Sequence, residues 1–350
     1  MMIEVDGSTG EGGGQLLRTA VALSAITGRR LRIVRIRARR ERPGLAAQHL
    51  AAVRAVGTLC DARVDGLEPG SQEIDFDPGA PRAGTHVFEI GTAGSVTLVL
   101  QALMPVMLAA PARTTVRVVG GTDVRAAPPF DYLREVLLPL LHRIGVRARV
   151  EVVRRGYYPR GGGEVECEVE PSTLRSVDLV DPGPLASIEA FSHVANLPAH
   201  IAQRMASAAR EALGGLPEPL LHVTVHGPEQ AVGPGGAIVL VARTARSVLG
   251  AGRVAQRGVP AERLGADAAA ELRGDLASGA ALDAHAADQL LVHLALAGAG
   301  SRFTTRTITS HASTAMWLIE RFLPVRFEVD RQSSFATVRV VAAPEGAAPR

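Results

Sequence analysis

The sequence predicts an α/β (α+β) fold: three repeated strand–helix–strand–helix–strand–strand units forming a large domain, with a smaller α/β domain inserted in the third. Three observations predict it. The same order of hydrophobic periods recurs along the chain. The first two units each open with a strand that passes through a glycine turn into a helix. Residues 183–279 carry their own strand and helix signals and interrupt the third unit. At 350 residues the chain exceeds the roughly 100–200 residues of a typical domain, as two structural units require.

In the first unit, residues 3–5 read as a strand, followed by a glycine turn and a helix at 15–26. A strand at 31–38, a helix at 45–60 and strands near 62–64 and 72–76 complete it. The second unit has a strand at 86–90, a helix at 96–109, a strand at 114–119, a helix at 130–144 and strands at 147–153 and 164–170. The third runs from a helix at 283–297 through a strand at 302–308 and a helix at 313–322 to strands at 325–329 and 336–341, with no adjacent first strand. The helices rest on apolar spacing near ~3.6 residues, the strands on alternation and β-branched content. Within the interruption, strands are expected at 187–191, 222–226 and 238–242 and helices at 201–213 and 261–276. Insertions of this kind succeed where the two chain ends lie close together at a surface. The expected domains are 1–182 with 280–342, the insert 183–279, and a disordered tail 343–350.

Composition narrows the function. With 47% hydrophobic and 21% charged residues the chain can build a core, which excludes a disordered protein. Two cysteines, Cys60 and Cys167, cannot form a disulfide framework or a four-cysteine zinc site, so a reduced, cytoplasmic setting is expected. The first residues lack the basic start and apolar stretch of a signal peptide. The longest apolar run, 96–110, is broken by Gln101 and Pro105 and falls short of the ~20 residues of a membrane span, so a soluble protein without a membrane partner is expected. All 38 basic residues are arginine. That excludes a Schiff-base lysine, a lysyl-adenylate and a P-loop lysine in this chain. Eight of the arginines fall between Arg29 and Arg42, a cluster that suits an anionic partner or a solvated face.

Four groups of residues carry possible chemistry. Gly10-Glu11-Gly12-Gly13-Gly14-Gln15 opens into a helix, where bare backbone and free N–H groups favour a phosphate. A tight turn explains the glycines alone. Glu11 among them points to a ligand for a divalent ion, and Arg18 lies one helical turn beyond Gln15. The second group, residues 37–44 with Arg37 and Arg40, offers guanidinium forks for a polyphosphate or an RNA backbone. Aromatic residues number only 12, too few for extended base stacking, so capture of a terminus is the better reading. Third, His311 follows a strand and begins a helix, where a cationic imidazole is disfavoured and the neutral, nucleophilic form favoured. A capping role fits that position equally well. The other histidines lack zinc-site spacing, and His142, His222, His226 and His293 read as core or surface groups. Fourth, His285, Asp288 and Gln289 share a helix face, as residues bounding a ligand pocket or facing solvent.

On the stretches DGSTGEGGGQLLRTA, RARRERPGLAAQHL, EIGTAGSVTLVLQ, GGTDVRAAPPFDYL, GYYPRGGGEV, ADQLLVHLALAGAG and HASTAMWLIERFLPVRF, the sequence resembles the RNA 3′-terminal phosphate cyclase family from Val5 to about Arg339. The resemblance implies three βαβαββ repeats with an insert in the third. It also implies ATP-dependent conversion of an RNA 3′-phosphate to a 2′,3′-cyclic phosphate, releasing AMP and pyrophosphate. His311 is then the nucleophile that carries AMP, and Glu11 a ligand for Mg²⁺ or Mn²⁺. Arg18, Arg37, Arg40 and Gln48 become phosphate and RNA-end contacts; Gln101, Pro128, Asp288 and Gln289 belong to the nucleotide pocket. His285 stands where bacterial members can place a tyrosine over the adenine. Partners implied are ATP and RNA with a 3′-phosphate end; a homodimer is left open. Two other classes stand as alternatives. A non-catalytic cyclase-like RNA-binding protein would lack the histidine, and an enolpyruvyl transferase-like enzyme would leave GEGGGQ and HASTAMW unexplained.

Overall fold

In the computed structural model, which describes residues 2–344, the strands form four sheets among the described residues. β1 (Ile3–Asp6), α1 (Gly14–Thr27), β2 (Leu31–Val34), α2 (Ala47–Leu59), β3 (Arg63–Asp65) and β4 (Ile74–Asp77) make the first. β1 and β2 are parallel, and β4 lies antiparallel between β2 and β3. Ile3, Val5, Leu31, Ile33, Ile74 and Phe76 all point to the core, the alternation expected of a sheet buried on one face.

The second sheet has the same order. β5 (Gly84–Glu89), α3 (Val96–Leu108) and β6 (Thr114–Gly120) precede α4 (Phe130–Tyr132), a π turn (Leu133–Leu137) and α5 (Leu138–Ile144); β7 (Arg147–Gly156) and β8 (Gly163–Glu170) follow. β5 and β6 are parallel, with β8 antiparallel between β6 and β7.

The chain then makes β9 (Asp178–Leu179), β10 (Leu185–Ala195), α6 (Ala199–Ala212), β11 (Leu220–His226), β12 (Ala231–Val232), β13 (Gly235–Thr244), β14 (Val248–Val254) and α7 (Ala261–Ser278). β11, β10, β13 and β14 form a sheet of their own, with α6 and α7 packed on it around a separate apolar cluster; β12 joins β7. Finally α8 (Ala284–Leu296), β15 (Arg302–Thr305), α9 (Ser310–Phe322), β16 (Val325–Arg331) and β17 (Ala336–Ala342) close the chain. Here β15 pairs parallel with β9, and β17 lies antiparallel between β15 and β16. α1 packs on α2, α3 and α9, and α8 packs on α9, so the helices of the three like-ordered sheets share one core.

Several expectations need correction. The strand expected at 31–38 ends at Val34. The backbone turns left-handed at Arg35 and Arg37 (φ 53° and 52°), burying Ile36 and leaving the arginines on a turn. The helix expected at 130–144 contains the π turn, because Pro139 has no N–H for the Glu135 carbonyl and its ring would collide with it. α9 starts at Ser310 rather than 313, since Thr309 Oγ1 accepts from the Ala312 N–H at 2.9 Å and caps it. β14 is absent from the sequence reading. Its Gly250 and Gly252 weaken the strand signal, yet side chains there would collide with Val136 and crowd Pro129. Of the expected tail, 345–350 lies outside the described residues.

Candidate active site

Every residue that the family resemblance assigns to the site lines one cavity of about 690 Å³. α1 supplies Arg18, α2 Gln48, α3 Gln101, the approach to α4 Pro128, α8 His285, Asp288 and Gln289, and α9 His311. Glu11 comes from the turn before α1, and Arg37 and Arg40 from the turn after β2.

His311 is the second residue of α9. The glycine turn docks on this helix: Glu11 N–H donates to Thr314 Oγ1 at 3.2 Å, and a Cβ at Gly10 (φ +59°) would collide with that oxygen. Glu11 is thereby set between two side chains. Its carboxylate pairs with Arg40 and stands 3.6 Å from His311 Nδ1. Burial, then the charges of Arg18, Arg40 and His285, push the His311 pKa down, so the ring is neutral at neutral pH. With Nδ1 beside Glu11, Nε2 is the ring nitrogen away from that carboxylate.

Beneath the glycine turn lie two guanidinium groups, Arg18 buried and Arg37 half-buried. Arg18 is 6% exposed, its Nε has no hydrogen-bond partner, and burial alone pulls its pKa down to about 10. Arg37 donates to the Gly44 carbonyl at 2.7 Å, and burial lowers its pKa too. Neither has a carboxylate partner among the described residues. His49 sits with them, its Nδ1 accepting from the Ala46 N–H at 3.1 Å; burial and the charges of Arg18 and Arg37 push it down to about 3. A buried and a half-buried cation without carboxylate partners, next to a helix start, form an anion site.

The opposite wall is built from hydrogen-bonded carboxylates. Asp288 is pushed up to about 6 by burial and accepts from Thr309 Oγ1 at 2.7 Å, so it braces the cap of the His311 helix. Asp283 caps α8 through the N–H groups of His285 and Ala286, and also accepts from Tyr132 OH at 2.6 Å and Gly250 N–H at 3.0 Å. That ties α4, β14 and α8 together. The His285 Nε2 lies 3.4 Å from Glu271 Oε1 of α7, and this pairing raises its pKa to about 9. His285 is therefore an imidazolium at neutral pH, its ring edge-on to Tyr132 at 6.3 Å. Pro128 is held by its carbonyl, which accepts from Thr97 Oγ1 at 2.9 Å. The following turn is anchored by Asp123 and Asp131, both paired with buried Arg155.

A family model described as RNA 3′-terminal phosphate cyclase matches residues 9–329. The chain is similar to RNA 3′-terminal phosphate cyclase of Nitrosospira multiformis, 56% identical over 345 residues, covering 98% of this chain and 97% of that protein. It is 46% identical to the Pyrobaculum neutrophilum cyclase, over 95% of this chain and 96% of that protein. To the Methanopyrus kandleri cyclase it is 46% identical over 99% of each. The chain belongs to the RNA 3′-terminal phosphate cyclase family. The enolpyruvyl transferase NikO of Streptomyces tendae aligns over 48% of this chain and 33% of that one, at 16% identity and a TM-score of 0.28, too slight a likeness to relate the two.

The sequence reading of this family member missed His49, Tyr132, Arg253 and Glu271. His49 directly follows Gln48 in a quoted motif and could have been found there. Arg253, in the cavity wall, lies on β14, and Glu271, the partner of His285, on α7, so no local pattern ties either to the site. Among the described residues no cluster of three or more His, Cys, Asp or Glu could hold a metal unaided. Glu11 alone, a hard oxygen donor at an anion site, fits a cation that takes its remaining ligands from phosphate oxygens. Among the described residues, no helix is long and apolar enough to cross a membrane.

Proposed function

We propose that this cyclase-family enzyme converts an RNA 3′-terminal phosphate to a 2′,3′-cyclic phosphate at the expense of ATP, through AMP carried on His311. Residues 1–182 and 280–342 would form the three-repeat βαβαββ body, with 183–279 inserted. One observation supports this most: a neutral histidine at a helix start shares the cavity with buried Arg18 and half-buried Arg37, neither of which has a carboxylate partner among the described residues. Such a site binds phosphate and presents a nucleophile to it.

In the first step His311 Nε2 attacks the α-phosphorus, forming the N–P bond as pyrophosphate leaves. Arg18 and Arg40 hold phosphate oxygens and stabilise the charge that develops there. Gln101, Pro128 and Gln289 bound the nucleotide, with Asp288 bracing the His311 helix and His285 over the base. An oxygen of the RNA 3′-phosphate then displaces His311 from the AMP phosphorus. The adjacent 2′-hydroxyl attacks the 3′-phosphorus, loses its proton, and expels AMP. Arg37 and Gln48 would grip the terminal phosphate in these later steps. Covalent carriage divides one hard exchange into easier displacements, and proximity suffices for ring closure. Mg²⁺ or Mn²⁺, held by Glu11 and phosphate oxygens, would neutralise phosphate charge.

Incubation with α-labelled ATP tests the reading. Wild-type protein should acquire an acid-labile, alkali-stable label and His311→Ala none. A labelled His311→Ala protein would overturn the assignment.

A further inference from the structure

The motif GYYPRGGGEV, residues 156–165, supplies nothing to the cavity wall, although it sits beside it. It joins β7 to β8 by a turn in which the Gly161 N–H donates to the Tyr157 carbonyl at 2.8 Å. A Cβ at Gly161 (φ +66°) would stand 2.6 Å from the Thr92 carbonyl oxygen and 2.9 Å from Ala93 Cα, so the turn lies directly on that backbone. One residue further, a Cβ at Gly94 would fall 2.9 Å from Gln48 Cβ, and Gln48 is cavity wall. The turn is therefore a ledge on the cavity's rim.

The two tyrosines of the ledge behave differently. Tyr157 is buried against Gly235 and anchors the turn. Tyr158 is 78% exposed, and no other Phe, Tyr or Trp ring is exposed among the described residues. Beside it, Arg160 has no ion pair among the described residues, and neither has Arg125 in the nearby cavity wall. An exposed ring two residues from an arginine that has no ion pair among the described residues suits a polyanion that carries flat bases.

We propose that Tyr158 and Arg160 form a docking ledge for the RNA strand just upstream of its 3′ end, the ring stacking on one base and the guanidinium meeting a backbone phosphate. The proposal rests on the cavity taking an RNA 3′-phosphate. Stacking accepts any base, so the ledge adds affinity without selecting a sequence.

The test uses the full chain and 3′-phosphorylated oligoribonucleotides bearing 2-aminopurine at successive positions from the 3′ end. Wild-type protein should quench the probe at one position near that end. Tyr158→Ala should abolish that quenching and raise the KM for the oligonucleotide on the order of ten-fold, whereas Tyr158→Phe retains both. Arg160→Ala should weaken binding and lessen its salt dependence. Self-adenylation with ATP alone, and cyclisation of a single nucleoside 3′-phosphate too short to reach the ledge, should be unchanged in Tyr158→Ala. Wild-type quenching and KM in that variant would overturn the proposal. Equal loss with the single nucleotide, or conversion of a dimer to a monomer, would overturn it as well, pointing to a structural or subunit contact. A wild-type protein that neither labels with ATP nor binds 3′-phosphorylated RNA would instead overturn the cyclase reading, and the ledge with it.

Discussion

Replacing Arg18 with methionine should make the free protein harder to unfold while destroying its hold on phosphate. The guanidinium is almost fully buried, with an unpartnered Nε, and burial alone brings its pKa to about 10. A base whose folded pKa lies below its unfolded value loses stability on charging. At pH 7 the side chain is charged in both states, so the penalty is fully present. The fall from the ordinary value to about 10 corresponds to about 3 kcal/mol. Methionine keeps much of the length without the charge, and replacing a buried charge by an apolar group can return about 1–3 kcal/mol. With an unfolding entropy of about 2.1 cal/mol/K per residue, that is a rise in Tm of roughly 1–4 °C for a chain of this size. The assay is thermal unfolding followed by circular dichroism, with and without inorganic pyrophosphate as a stand-in for the triphosphate. Pyrophosphate should raise the wild-type Tm and leave the variant's unchanged, because only a protein that binds the ligand is stabilised by it. A variant that melts below wild type without ligand, or that gains as much from pyrophosphate, would refute the account of Arg18 as an uncompensated anion-binding cation.

Three further outcomes are expected. Thr309→Val removes both the α9 cap and the donor to Asp288, so it should cost about 1–2 kcal/mol in urea unfolding and slow adenylation; Thr309→Ser should restore both, and a silent valine variant would show that the hydroxyl does not hold His311 in place. The His285 pKa is raised to about 9, so its pairing with Glu271 stabilises fully below about pH 6.5 and is lost as pH rises through 9; apparent ATP affinity in adenylation should weaken over that window in wild type but not in His285→Tyr, which should bind ATP more tightly, with His285→Ala weakest. Identical ATP dependence in all three proteins would reject any contact with the base. His293 is buried, and burial pushes its pKa down to about 4, so stability is lost as pH falls from 6.5 to 4, by up to about 3 kcal/mol; His293→Leu should flatten the pH profile of urea unfolding there, and an unaltered profile would refute the assignment.

Much of this protein could be read from local pattern. Alternation marked β4, β6 and β8, and the apolar period marked α3 and α8, because side-chain direction repeats every two residues in a strand and about every 3.6 in a helix wherever the chain happens to lie. The glycine turn before α1 and the histidine at the start of α9 were legible for the same reason: turn and cap chemistry is decided within a few residues. Motif resemblance added the residues that line the cavity. Tertiary structure decided what those residues are. It left Arg18 and Arg37 without carboxylate partners among the described residues, set Glu11 between Arg40 and His311, and gave His285 a carboxylate from α7 that makes it a cation. It also brought β14 to the cavity, placing glycines where Val136 and Pro129 leave little room for a side chain. Charge state depends on burial and on partners that are far away in the sequence. A one-dimensional pattern records a side chain's direction along its own element, not the dielectric or the neighbours it meets once the elements pack.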